Sequence, residues 1–257
     1  MKIKFIILGS GYSLGVPSAD GNWGKCNPNE KKNYRTRCSA FIQSKIKNII
    51  IDTSPDIRNQ LIKNNIRNVD CAIFSHKHGD QIHGINDLRI FSLKSNQKIP
   101  IFADLETGNY LKNNFSYCFN DFPGYKAILK LNRLKKKISF VKNGKSISIR
   151  SIPVQHGKIL SQSFIINKSC AYICDANKIF NRDLKYFKNL NYVVIDCLRF
   201  NSHLSHFNLN EVIELTRVIK PKKTILTNLS DEMDYNYLLK ILPKNIVPGY
   251  DGMSFYI

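Results

Sequence analysis

The sequence predicts an α/β fold, and three observations carry that prediction. Short apolar runs bounded by glycine, asparagine or aspartate recur along the whole 257-residue chain, as buried strands do. Almost every run delivers a polar or ionisable residue at its C-terminal end, where α/β folds gather ligands and catalytic groups. Stretches with helix caps and helical spacing separate several of the runs. No linker or low-complexity segment divides residues 1–257, so one domain is expected. The second half repeats the device of the first without a short period, as a duplicated α/β half would.

In chain order, residues 3–8 form a strand followed by Gly9-Ser10-Gly11-Tyr12-Ser13-Leu14-Gly15-Val16-Pro17. The glycine spacing is not G-x-G-x-x-G and no helix pattern follows, which excludes a dinucleotide site. Residues 18–37 are polar and irregular. Arg35 and Arg37 at their end are either bidentate phosphate donors or ordinary surface charges. Residues 40–42 alternate, and 48–52 make a buried-type strand ending at Asp52. Thr53 or Ser54 then caps a helix with Pro55 in its first turn and Ile57, Leu61 and Ile62 on its apolar face. A strand over 69–74 enters the stretch Ser75 to Gly84. A helix over 85–93, a strand over 99–103 and a helix over 105–114 come next. Residues 115–134 are aromatic and irregular; Phe115, Tyr117, Phe119, Phe122 and Tyr125 either line a cleft or pack in the core. Strands over 146–154, 164–166, 171–174, 192–195 and 224–226 lead to His156, Asp175, Asp196 and Asn228, with 164–166 and 171–174 paired.

The chemistry concentrates in Ser75-His76-Lys77-His78-Gly79-Asp80-Gln81-Ile82-His83-Gly84, which holds three of the six histidines. His76, His78 and Asp80 alternate, so an extended loop lets them converge, and imidazole with carboxylate suits zinc, manganese or iron. The other three histidines, His156, His203 and His206, also lie at or just after strand ends. The net charge of +20 comes from 39 Lys and Arg against 19 Asp and Glu. The lysines are dispersed, with Lys135-Lys136-Lys137 as a solvated turn, so the charge reads as compositional bias that also attracts anionic substrates. Seven cysteines without a Cys-x-x-Cys pair indicate a reduced compartment and thiols used as small hydrophobes. The N-terminal apolar run stops at Gly9, too short for a signal sequence, and no segment is long enough to span a bilayer; a cytoplasmic, membrane-free protein is expected.

Taken together, these residues resemble the metallo-β-lactamase superfamily of metal-dependent hydrolases, whose signature is His-x-His-x-Asp-His, a distant His, a bridging Asp and a final His. The similarity runs from residue 3 to 257. It is most specific to the bacterial phosphodiesterase branch that includes the cyclic-phosphate phosphodiesterase of phosphonate utilisation. Gly9 to Pro17, Arg37-Cys38-Ser39, Asp52-Thr53-Ser54-Pro55-Asp56, His83-Gly84-Ile85-Asn86-Asp87-Leu88-Arg89 and Tyr250-Asp251-Gly252-Met253 carry it. The tRNA 3′-processing endonucleases are a related branch, but their inserted Gly/Pro-rich arm is missing.

The resemblance implies a four-layer αββα sandwich that hydrolyses phosphodiesters, cyclic phosphates included, with a metal-activated hydroxide. His76, His78 and His156 hold the first zinc or manganese ion, with Asp175 bridging. Asp80 serves a second ion and orients the hydroxide. His206, in His206-Phe207-Asn208-Leu209, protonates the leaving group. Arg35, Arg37 and His203 are expected to meet the substrate phosphate. The implied partner is a phosphate-bearing small molecule or nucleotide, with RNA as a further candidate and a homodimer as a candidate assembly. Two positions depart from the signature: Gln81 and Asn228 stand where the second ion's histidines belong. The expectation is therefore one tight ion and a second, weak one through Asp80, Asp175, Gln81 and Asn228, suited to hard ions. The other reading of both amides is that they fill space and hydrogen-bond to Asp80 and Asp175. His83 is not expected to substitute for them. Cys26 stands alone in the N-terminal loop, so no structural zinc is expected. Asp196 either orients a histidine or caps the following helix. An inactive descendant that binds a phosphate-bearing ligand or RNA is the alternative to the enzyme.

Overall fold

Two seven-stranded mixed sheets form the centre of the molecule in a computed structural model that describes residues 2–257. The strands are Lys4–Gly9 (β1), Ser39–Gln43 (β2), Ile49–Ile51 (β3), Cys71–Ile73 (β4), Ile99–Ala103 (β5), Leu129–Arg133 (β6), Lys137–Lys142 (β7), Lys145–His156 (β8), Ile159–Ile166 (β9), Cys170–Ile173 (β10), Tyr192–Asp196 (β11), Lys223–Thr227 (β12), Ile246–Pro248 (β13) and Ser254–Tyr256 (β14). The first sheet runs β14-β1-β2-β3-β4-β5-β6 and the second β13-β12-β11-β10-β9-β8-β7. In each, antiparallel pairs give way to three parallel pairs: β3·β4, β4·β5 and β5·β6 in one, β10·β11, β11·β12 and β12·β13 in the other. This matched construction is the duplicated half-fold expected from the sequence.

Period-two alternation explains why the sheets stack. Phe5 and Ile7 of β1 face the second sheet, in one apolar cluster with Ile149, Phe164, Tyr172 and Val194. Ile6 and Leu8 point the other way, toward Ile57 and Leu61 of helix α1 (Ile57–Lys63). Across the molecule, Val193 and Ile195 of β11 meet Val212 of a helix over Leu209–Ile219. Three clusters thus separate four layers, αββα. Among the described residues no helix is long and apolar enough to cross a membrane.

Several local expectations change. Residues 116–119 form a short helix and 129–133 form β6, so the aromatic stretch is not wholly irregular. Phe115 and Phe119 pack against the outer core while Phe122 is exposed, which favours packing over a cleft. Lys137 opens β7 rather than a turn: Ile138 and Phe140 alternate with polar residues along an edge strand whose lysines discourage further pairing. The 85–93 stretch divides into a 3₁₀ turn over 85–88 and a helix over 89–95. Ile62 is exposed, and Asp56, not Thr53 or Ser54, is the cap residue of α1.

Arg35 is the largest correction. Its side chain is 1% exposed, and its guanidinium donates to the carbonyls of Ser230 (3.0 Å) and Met233 (2.6 Å) and to Asn33 Oδ1 (3.2 Å). It ties the N-terminal loop to the segment after β12 and does not line the pocket described below. Arg37 is likewise engaged: Nη1 reaches both oxygens of Asp56 at 3.1 Å and Nε donates to the Ser13 carbonyl at 2.9 Å. Arg35→Met leaves two buried carbonyls unpaired and should lower unfolding free energy by about 2–5 kcal/mol, measured by urea denaturation, while leaving metal binding intact.

Candidate metal centre

Parallel strands end side by side, and their last residues meet at one edge of the sandwich. β3 delivers Asp52, β4 leads to His76, β10 to Asp175, β11 ends on Asp196 and β12 leads to Asn228. Asp52 and Asn228 both adopt left-handed backbone, φ +60° in each, so the chain turns sharply out of each sheet. Asp52 Oδ1 accepts the Ser75 amide at 2.7 Å and anchors the histidine loop. Gly84 closes that loop against the neighbouring segment, where a Cβ would lie 2.0 Å from the Ser54 carbonyl oxygen. His78 then caps a four-residue helix, Gly79–Ile82, which sets Asp80 and Gln81 one step further into the site.

The ligating atoms of His76, His78 and His156 lie within 4.8 Å of one another, as do those of His156, Asp175 and His206. Two of the three imidazoles are oriented from behind, and His78 Nδ1 lies 3.3 Å from His156 Nε2. Ser75 Oγ bonds His76 Nδ1 at 3.0 Å and the Ser205 carbonyl bonds His156 Nδ1 at 2.7 Å, leaving the Nε2 atoms for the site. His76 Nε2 is buried without any hydrogen-bond partner. Burial, with neighbouring imidazoles, holds His76 well below its usual range, and burial also lowers His78 and His156, so all three keep the lone pairs a cation needs. Burial and the Asp80 charge push Asp175 up to about 7, a cost that a cation relieves. The three imidazoles fit one divalent ion, and Asp175, grouped with His156 and His206, offers a carboxylate beside them, donors that zinc or manganese accepts.

The second position does not fit a cation in the same way. Gln81 Nε2 donates to Asp175 Oδ2 (3.0 Å) and Asp80 Oδ2 (3.2 Å), and Asn228 Nδ2 donates to Asp175 Oδ1 (3.0 Å). Of the two readings of these amides, the hydrogen-bonding one matches this geometry. His83 is exposed, with its ring against Phe115, and joins neither set. Asp196 is fully buried and accepts His206 Nδ1 at 2.7 Å and the Ala176 amide at 2.9 Å, so it orients a histidine and caps no helix. Burial alone would lower His206, but the Asp196 charge and hydrogen bond, with Asp175, carry it up to about 9.

A pocket of about 460 Å³ opens over these groups. His78, Asp80, His156, Asp175 and His206 line it, with Arg199 and His203 and with Tyr12, Asp231 and Glu232. Arg199 is held by carbonyls of its own loop, with Nη2 2.7 Å from Ser202 O. Arg199 lines the pocket, whereas Arg35 and Arg37, expected at the substrate phosphate, do not. Its signal was available: it follows β11 closely, as the strand-end pattern demands. His203, expected at the substrate phosphate, does line the pocket. Tyr12, pushed up to about 12 by burial and Asp231, stays a neutral hydroxyl. A groove of about 500 Å³ between α1 and residues 86–94 contains no comparable ligand set.

Comparison with known proteins agrees with this geometry. A crystal structure described as a new diphosphatase from the PhnP family superposes with a TM-score of 0.90 at 26% identity, covering 100% of this chain and 98% of that one. Human tRNase Z, short form, shares the fold at a TM-score of 0.69 and 13% identity, covering 98% of each chain. A Porphyromonas gingivalis (strain ATCC BAA-308 / W83) protein named octanoyltransferase is 28% identical over 99% of this chain, which spans only 52% of that relative's length. Residues 47–227, which include the histidine loop, Asp175 and Asp196, match the family model described as the beta-lactamase superfamily domain. The chain therefore belongs to the beta-lactamase superfamily of metal-dependent hydrolases.

Proposed function

We propose that this protein hydrolyses phosphodiester bonds of small phosphate-bearing molecules, nucleotides or cyclic phosphates among them. The observation that carries the reading is the convergence of three imidazoles and Asp175 at a pocket that also presents Arg199, His203 and His206. The PhnP-family diphosphatase, alike over its whole length, supports a phosphate-ester substrate. His76, His78, His156 and Asp175 would hold the ion, which lowers the pKa of a bound water toward neutrality and polarises a phosphoryl oxygen.

The chain's own residues supply the rest. Arg199 presents a fixed cation to the phosphate. Asp80 takes the proton of the attacking water as the new P–O bond forms. His206 hands a proton to the leaving oxygen as the scissile P–O bond breaks, and Asp196 keeps its ring in place for that transfer. The pocket is small and includes Asp231 and Glu232 in its lining, which suits a compact ester better than an RNA chain with successive phosphates. The inactive-descendant reading draws on the amides at 81 and 228. The intact first set and the His206–Asp196 pair favour the enzyme.

Four outcomes test this. His78→Ala should remove bound metal, read by elemental analysis; unchanged metal content would refute the ligand assignment. His206→Ala should retain the metal and lower kcat by roughly 10²–10⁴-fold on a chromogenic phosphodiester; a fully active variant rules out the proton-donor role. Because the raised His206 keeps its proton below its folded pKa, turnover should fall as pH rises, with the basic limb at or below about 9, since a nearby cation opposes the proton. Arg199→Gln should raise KM with the metal content unchanged.

A further inference from the structure

We infer that the centre holds one metal ion where the superfamily signature provides for two, and that side-chain amides occupy the second position. The inference rests on the first-site reading above and concerns what lies beside it. Both oxygens of Asp175, the carboxylate placed to bridge two ions, already accept amide N–H groups: Oδ1 from Asn228 Nδ2 and Oδ2 from Gln81 Nε2, each at 3.0 Å. Asp80 Oδ2 accepts the same Gln81 nitrogen at 3.2 Å. A cation at this position would face hydrogens where it needs lone pairs.

The amide orientations follow from their surroundings. The Cys174 thiol donates to Gln81 Oε1 and the Cys38 thiol to Asn228 Oδ1, both at 3.8 Å. Asn228 Nδ2 is also within reach of Asp196 Oδ1 (3.1 Å) and the Cys174 carbonyl (3.4 Å), so turning the amide would set its oxygen among acceptors. Neither side chain can swing away: Gln81 is 0% and Asn228 1% exposed. The contrast with the first site is direct, because His76 Nε2 is equally buried and has no partner.

The test is metal stoichiometry on the full-length, chelator-stripped protein. Cobalt(II) titration followed by visible absorption should break at one equivalent, and elemental analysis after excess zinc or manganese should return one ion per chain. Gln81→His combined with Asn228→His should raise the count to two. If that variant does not fold, Asp80→Asn should still bind one cobalt at its break point, since Asp80 serves no ion. Two ions in the parent protein, a drop in count on Asp80→Asn, or a folded double variant that stays at one ion each overturn the inference. The first of these leaves the proposed hydrolase intact. No ion in the parent overturns both readings.

Discussion

The site depends on how Asp175 is compensated. Its carboxylate sits at the C-terminal end of β10, 3% exposed, close to the carboxylates of Asp80 and Asp196. A charge this buried is tolerated only when paired or hydrogen-bonded. Amide donors serve that need on one side and the imidazole cluster, with the cation it can hold, on the other. His206 adds a third contact, its Nδ1 3.6 Å from Asp175 Oδ1. Each of these groups is placed by a different strand end or loop, so strand ends from both stacked sheets are obliged to converge at one edge of the sandwich.

That demand accounts for features otherwise without a reason. The left-handed residues Asp52 and Asn228 stand where the chain leaves a strand of each sheet. Gly11 bridges to Arg37 on one side and to Leu229 on the other, carrying the N-terminal loop across the junction. Buried Arg35 fastens the same loop from behind. The glycines after β1 thus serve backbone approach, not phosphate binding: a Cβ on Gly9 would lie 2.0 Å from the Arg37 carbonyl oxygen.

Much of this was legible in the sequence because strand ends leave a local mark: an apolar run, then one polar residue. Asp52, His76, His156, Asp175, Asp196 and Asn228 all follow that rule, and the αββα arrangement came with the resemblance they carry. What sequence alone missed depends on long-range packing. Whether Arg35 faces solvent or two carbonyls some two hundred positions away leaves no trace in its neighbours. Arg199 is the converse case, an unremarkable loop residue until β11 places it at the pocket. β6 and β7 were obscured because edge strands rich in lysine lack the continuous apolar run that marks a central strand.

The central claim is that a metal ion on the His76, His78, His156 and Asp175 set drives phosphodiester hydrolysis. The most direct measurement is turnover of a chromogenic phosphodiester by the stripped protein as zinc or manganese is returned stepwise, beside a phosphomonoester and a carboxylic ester. Activity that rises with bound metal and favours the diester is the result the account predicts. Protein that binds its metal and cleaves none of the three, or only the carboxylic ester, would contradict it.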